Sequence, residues 1–292
     1  VLIKQGADDK GRADRLPLRL PKICRFAIAG DHTMTHQSVP HRQRTVSAST
    51  QDYKFVHEAM LAQANPEKAA FLAGYFQTAP GQYGEGDRFL GVVVPVVRQL
   101  ARRFSGLPLS QISQLLDSIY NEERLLALLI MVEQYRKADA DQQASLFRSY
   151  LQQRHRINNW NLVDSSAPGI LGQHLLHADR CILFELARST RLWDRRMAVL
   201  ATQTFIRETD FADTLKLCAM LMTDPQDLMH KACGWMLREV GHRNRALLEH
   251  FLLQHQGVMP RTMLRYAIER FEPEQRKRFL LRQPGKKPST EK

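Results

Sequence analysis

The sequence predicts an all-α fold: a right-handed α-solenoid of helical-hairpin repeats with a concave basic groove. Three observations lead there. From Ser49 onward, apolar residues recur at three- and four-residue intervals in one segment after another, the period of a helix with one buried face. No convincing run of alternating apolar and polar residues, the mark of a half-buried strand, accompanies them. Basic residues also return at a fixed interval, which is how a repeat first becomes visible.

Taken in order, the helical segments include "DYKFVHEAMLAQ", "LSQISQLLDSI", "NEERLLALLIMVEQYR", "DFADTLKLCAMLM" and "DLMHKACGWMLREVG". Short breaks carrying Pro, Gly, Asn or Asp separate them and can cap or stop a helix. One segment breaks the pattern, "QTAPGQYGEGDRFLGVVVP", residues 77–95, and reads as a long ordered loop. Its "GVVVP" is too short for a convincing strand, and Pro95 suits the first position of the next helix.

The period comes from the residue that opens the apolar part of alternate helices: Arg124, Arg196, Lys231 and Arg265, at steps of 72, 35 and 34 residues. Halving the first step lands on residue 160, which is Trp160. A unit of about 35 residues holds two helices and two turns, and hairpins of that size bury their apolar faces by stacking on one another. Arg124, Arg196, Lys231 and Arg265 would then form a cationic stripe along one wall, suited to a phosphate backbone. The plainer alternative is that these are ordinary solvated charges near helix starts.

The chain has 292 residues, 43% of them hydrophobic, enough for a substantial core. Its formal net charge of +12 favours polyanions such as nucleic acid or an anionic membrane surface. The absence of any apolar run of eighteen or more residues speaks against a membrane span, and no secretory signal is seen. The reading is a soluble cytoplasmic protein, nucleoid-associated if bacterial, and monomeric. Residues 1–49 hold nine Lys or Arg against four Asp with no sustained periodicity, and predict a basic, disordered extension. Residues 50–280 form the repeat domain, and 281–292 read as a polar tail. Cys24, Cys181, Cys218 and Cys233 include no C-x-x-C pair and read as reduced core residues. Eleven histidines form no ligand spacing, so neither a metal nor a cofactor is expected.

One stretch stands against the basic background. In "NNWNLVDSSAPG", Trp160 and Asp164 are spaced i, i+4, which puts an indole and a carboxylate on one helix face a turn apart. Structural readings compete here. Tryptophans in helical repeats are most often core, and "CGWML" around Trp235 looks buried. Asp164 precedes "SSAPG", where Ser165 or Ser166 would cap a helix that Pro168 helps to start. Trp193 reads as a packing brace, and Tyr83 and Arg88 are candidates for DNA contact from the long loop.

Four ordered segments, "GQYGEGDRFLGVVVPVVRQLARRF", "NNWNLVDSSAPGILG", "WDRRMAVLATQTFI" and "HKACGWMLREVG", carry a resemblance. The chain from about Tyr53 to Phe279 resembles the DNA alkylation repair family, the AlkD-like DNA glycosylases built from HEAT-like repeats. The resemblance implies a concave surface that cradles double-stranded DNA containing alkylated purines. It also implies excision of the N3- or N7-alkylated base without flipping. Matched motif to motif, it places the catalytic aspartate on Asp164, the two sugar-contacting indoles on Trp160 and Trp235, and a DNA-binding arginine on Arg196. A glutamine of one familiar member falls on Val93, which leaves the contacts near the lesion open.

The chemistry suits these residue types. An N7- or N3-alkylated purine carries a formal positive charge and leaves neutral, so no general acid is needed. What remains is an oxocarbenium-like sugar that a carboxylate stabilises until water captures it. An indole face beside the sugar favours the same cation. Two other classes remain open: a non-catalytic DNA-structure-binding HEAT-like repeat protein, and a HEAT-type scaffold for protein partners, which would expose an apolar groove.

Overall fold

A computed structural model of the chain describes residues 52–281. The predicted extension and nearly all of the predicted polar tail lie outside the described residues. Leu281, the first residue of that tail, ends a helix instead.

The regular secondary structure of the described residues is helical, apart from one isolated bridge between Arg88 and Tyr120. α1 (Tyr53–Leu61) and α2 (Pro66–Tyr75) precede the long loop, and α3 (Val94–Arg103) follows it. Asp52 and Asn65 cap the first two through side-chain oxygens. Pro95 sits in the first turn of α3, where no backbone N–H is needed. α4 (Leu109–Leu116), α5 (Asn121–Lys137) and α6 (Ala140–Gln152) come next, the last opened by a capping box between Asp139 and Gln142.

α7 (Trp160–Ser166) does not break at "SSAPG". It runs through a π-helical turn at Pro168–Gly172 into the short α8 (Gln173–Leu175). Ser166 caps nothing; its hydroxyl donates to the Leu162 carbonyl one turn back, 2.6 Å away. α9 (Cys181–Ala187), α10 (Leu192–Arg207), α11 (Ala212–Met220), α12 (Asp227–Arg243), α13 (Arg245–His255), α14 (Arg261–Ala267) and α15 (Pro273–Leu281) complete the order.

Packing follows the chain. α3 and α4 pack on α5, α5 on α7, α7 on α10, α10 on α12, and α12 on α14. One apolar cluster runs from Val56 to Phe271 through all of them, as expected when hairpins cannot bury their faces alone. Cys218 and Cys233 are buried in it, as the sequence suggested; Cys181 is half-buried at the start of α9.

Two glycines set the backbone approaches that matter. Gly91 has φ +80°, and a Cβ there would stand 2.1 Å from the Asn65 carbonyl oxygen. Its N–H donates to the buried Glu122 carboxylate at 2.8 Å, which also takes the Leu90 N–H, so loop, α2 and α5 meet at one point. At Gly234 a Cβ would lie 2.5 Å from Cβ of Tyr266, and the bare backbone lets α14 close on α12.

The first residues of α5, α7, α10, α12 and α14 are 121, 160, 192, 227 and 261, at steps of 39, 32, 35 and 34. The later two agree with the predicted period. The earlier two do not, and they correct the register. Counted from each helix start, Arg196, Lys231 and Arg265 are fifth residues, and the fifth residue of α7 is Asp164, not Trp160. Arg124 is the fourth of α5. Asp164 therefore stands where three later helices carry a cation, and Trp160 opens its helix.

Candidate active site

α7, α10 and α12 meet at one cavity of about 350 Å³. Trp160, Arg196, Lys231 and Trp235 line it, together with Tyr83 from the long loop. Tyr75, Leu228, Arg238 and Tyr266 complete the lining.

The indoles are held differently. Trp160 stacks on Phe76 with the ring planes 9° apart and the centroids at 4.9 Å, and it meets the edge of Tyr75. The Trp160 backbone N–H is capped by Asn159 Oδ1 at 2.8 Å. Trp235 donates its indole N–H to Glu239 Oε1 at 3.2 Å, one turn on along α12. Both indoles are half-buried, contrary to the buried reading of "CGWML". Trp193 is buried and meets Tyr83 edge-on, as the packing reading expected.

Asp164 is outside the lining residues but pairs with Arg196, which is one of them. The guanidinium gives Nε to Oδ1 and Nη2 to Oδ2, both at 2.8 Å, and Nη1 to the Leu228 carbonyl at 2.7 Å. One fork thus ties α7, α10 and α12 together, in the bidentate geometry for which arginine is suited. Two N–H groups of the guanidinium remain for a further acceptor. The Asp164 side chain is 16% exposed and that of Arg196 only 7%, so the acid is the more accessible of the two.

The cations are less free than a stripe requires. Lys231 pairs with Asp227 at 2.9 Å, and the hydrogen bond it donates to that carboxylate holds its pKa above the ordinary lysine value. Arg238 pairs with Glu269 and Glu239. Three cations line the cavity, each with an acidic partner at hand. Arg265 is exposed on α14 and lies outside this lining; its neighbour Tyr266 takes the place.

Arg124 is a correction to the predicted DNA contacts. It is 5% exposed, pairs with Asp87 and donates to the Ser118 carbonyl at 2.7 Å. A buried guanidinium needs such partners, and these hold it inside the fold. Val93 is partly exposed at the start of α3, where it lines a separate apolar cleft beside Phe71 and Phe89.

Arg238, Tyr75 and Tyr266 escaped the sequence reading. A signal existed for the first: Lys231, Trp235 and Arg238 are at i, i+4 and i+7, one face of α12. Nothing local marks Tyr75, which reaches the cavity by stacking. Among the described residues no helix is long and apolar enough to cross a membrane.

Fold and cavity together define an all-helical protein with an aromatic, cation-rimmed pocket and an arginine-bound acid, Asp164, beside it. The sequence profile described as "DNA alkylation repair enzyme" matches residues 56–271, and the chain belongs to that family. In fold it is similar to a solved structure described as a predicted DNA alkylation repair enzyme from Enterococcus faecalis. That similarity has a TM-score of 0.56 at 18% identity, over 72% of this chain and 98% of the other. A search of curated proteins gives no match.

Proposed function

We propose that the protein is a DNA glycosylase that hydrolyses the N-glycosidic bond of cationic N3- and N7-alkylpurines in duplex DNA, without flipping the base and without a cofactor. The observation that carries this reading is the cavity with Trp160 and Trp235 in its lining and the Arg196–Asp164 pair beside it. The stacked hairpins act as a right-handed solenoid of HEAT-like repeats whose concave side holds the DNA, and one copy suffices.

In this reading the indoles bracket the deoxyribose, and Arg196, Lys231 and Arg238 meet the flanking phosphates. The glycosidic bond breaks with its electron pair going to the base, which leaves neutral. The oxocarbenium-like sugar faces Asp164, whose orientation the Arg196 fork fixes before the lesion arrives. Water adds at C1′ and gives up its proton, leaving an abasic site and free base. Tyr83, from the loop, closes one side of the cavity.

One observation favours a second reading. The Asp164 charge is balanced by Arg196, as it would be in a purely structural ion pair within a non-catalytic DNA-structure binder. The test separates the two: release of N7-methylguanine or N3-methyladenine from duplex DNA. Release above the spontaneous rate supports the glycosylase. Tight, salt-sensitive binding to branched or bulged DNA with no release supports the binder.

A further inference from the structure

The cavity's geometry depends on a residue outside it. Asp87 lies in the loop between α2 and α3, buried, and does not line the site. Its Oδ2 accepts from the side-chain amides of Asn121 and Asn159, both at 2.8 Å, while Oδ1 takes the Arg124 guanidinium. Asn159 is the cap of α7 and holds the Trp160 backbone N–H through its own Oδ1. On the other side of Trp160, Asn161 donates its amide to Asn121 Oδ1 at 2.6 Å. Both chain neighbours of the indole are therefore anchored to one node.

We propose that Asp87 is a positioning residue that fixes where Trp160 stands, and through α7 where Asp164 stands. Its effect on catalysis rests on the glycosylase reading, whereas its effect on Trp160 does not. The chemistry of the node supports the assignment. A carboxylate is acceptor-only, and here three donors from α5 and from the start of α7 converge on it, so its position fixes the register between those helices. The loop holds Trp160 a second time, because Phe76 at its start provides the stacked ring. Backbone cap and ring are thus both set by the segment that precedes α3. A misplacement of about 1 Å can cost on the order of a hundredfold in rate, so such a node belongs to the function even though it touches no substrate.

The test uses the full chain labelled with 5-fluorotryptophan, whose three tryptophans give three ¹⁹F resonances assigned with single Trp→Phe variants. Asp87→Asn removes the acceptor. Asn159→Ser keeps an acceptor for the Trp160 N–H and removes only the amide that reaches Asp87, so it reads the tether even if Asp87→Asn does not fold. The double variant Asp87→Asn with Asn159→Asp exchanges the two groups and rebuilds one amide–carboxylate bond. The expected result is a displaced or broadened Trp160 resonance in the folded single variants, with that of Trp235 in place, and return toward the wild-type shift in the exchange. On N7-methylguanine duplex, kcat is expected to fall about ten- to hundredfold in the single variants, with KM changed less than about threefold. An unmoved Trp160 resonance in Asn159→Ser overturns the proposal. So does an exchange variant that folds but keeps the resonance displaced. If wild type releases no base, the glycosylase reading fails, and the ¹⁹F spectra still decide the role of Asp87.

Discussion

Replacing Arg196 with lysine keeps the charge and removes the fork. Wild-type Arg196 makes three hydrogen bonds of 2.7–2.8 Å, two to a carboxylate and one to the carbonyl that opens α12. An ammonium group on a different stem can reach one of these acceptors at good geometry, and not both ends of the span. A hydrogen bond involving a charged group contributes about 1.5–3 kcal/mol. Two are lost, and water at the accessible edge of Asp164 recovers part, so Arg196→Lys is expected to destabilise by about 2–3 kcal/mol. Arg196→Ala removes all three and leaves the carboxylate half-enclosed, at about 3–5 kcal/mol. For a domain of this size the lysine variant should melt about 5–10 °C lower. Urea denaturation of the single variants, of Asp164→Asn and of the double variant closes a cycle, with a coupling of about 2 kcal/mol expected between the two positions. Single effects below about 0.5 kcal/mol that simply add would refute the claim that this pair ties α7, α10 and α12 together.

Gly91→Ala should cost about 3 kcal/mol in the same denaturation assay, because the added Cβ meets the Asn65 carbonyl and the positive φ must change. His174 gives a pH dependence. Burial first and Arg148 second hold its pKa below the ordinary value of 6.5, and its Nδ1 lies 3.0 Å from the Tyr135 hydroxyl. The unfolded chain then binds the proton more readily. Its contribution is present above pH 6.5 and is lost as pH falls toward the lowered folded value. His174→Gln should flatten that part of the stability profile. At the cavity, Trp235→Ala is expected to weaken binding to alkylated duplex about tenfold, within the range of base or sugar contacts with an aromatic face. The salt slope should stay unchanged. Lys231→Gln should lower that slope by about one, measured by fluorescence anisotropy at several salt concentrations.

The helices were legible because each buries one face, and the three- and four-residue spacing of apolar side chains follows from that alone. The long loop was legible from its glycines and prolines, and Pro95 marked the helix that follows. The repeat was legible in its later half, where α10, α12 and α14 start 35 and 34 residues apart. It misled in the earlier half, because Arg124 was counted into a register it does not share and the next step is 39 residues. Charge does not state its own burial. A run of helix-start cations reads as a solvated stripe, yet Arg124 and Arg196 have their acids 37 and 32 residues upstream, beyond any local pattern. The family motifs brought Trp160, Asp164, Arg196 and Trp235 forward as a group, but not the fork that binds two of them. Asp87 had no local signal at all, since its partners come from two other helices.

The most direct test compares wild type and Asp164→Asn on duplex DNA carrying N7-methylguanine, with free base quantified over time against the spontaneous background. The account predicts clear release by wild type and a loss of about a hundred- to thousandfold in the variant, the scale of removing one preorganised electrostatic group. Duplex binding should be retained. No release by wild type, or a folded Asp164→Asn that releases base at the wild-type rate, would contradict it.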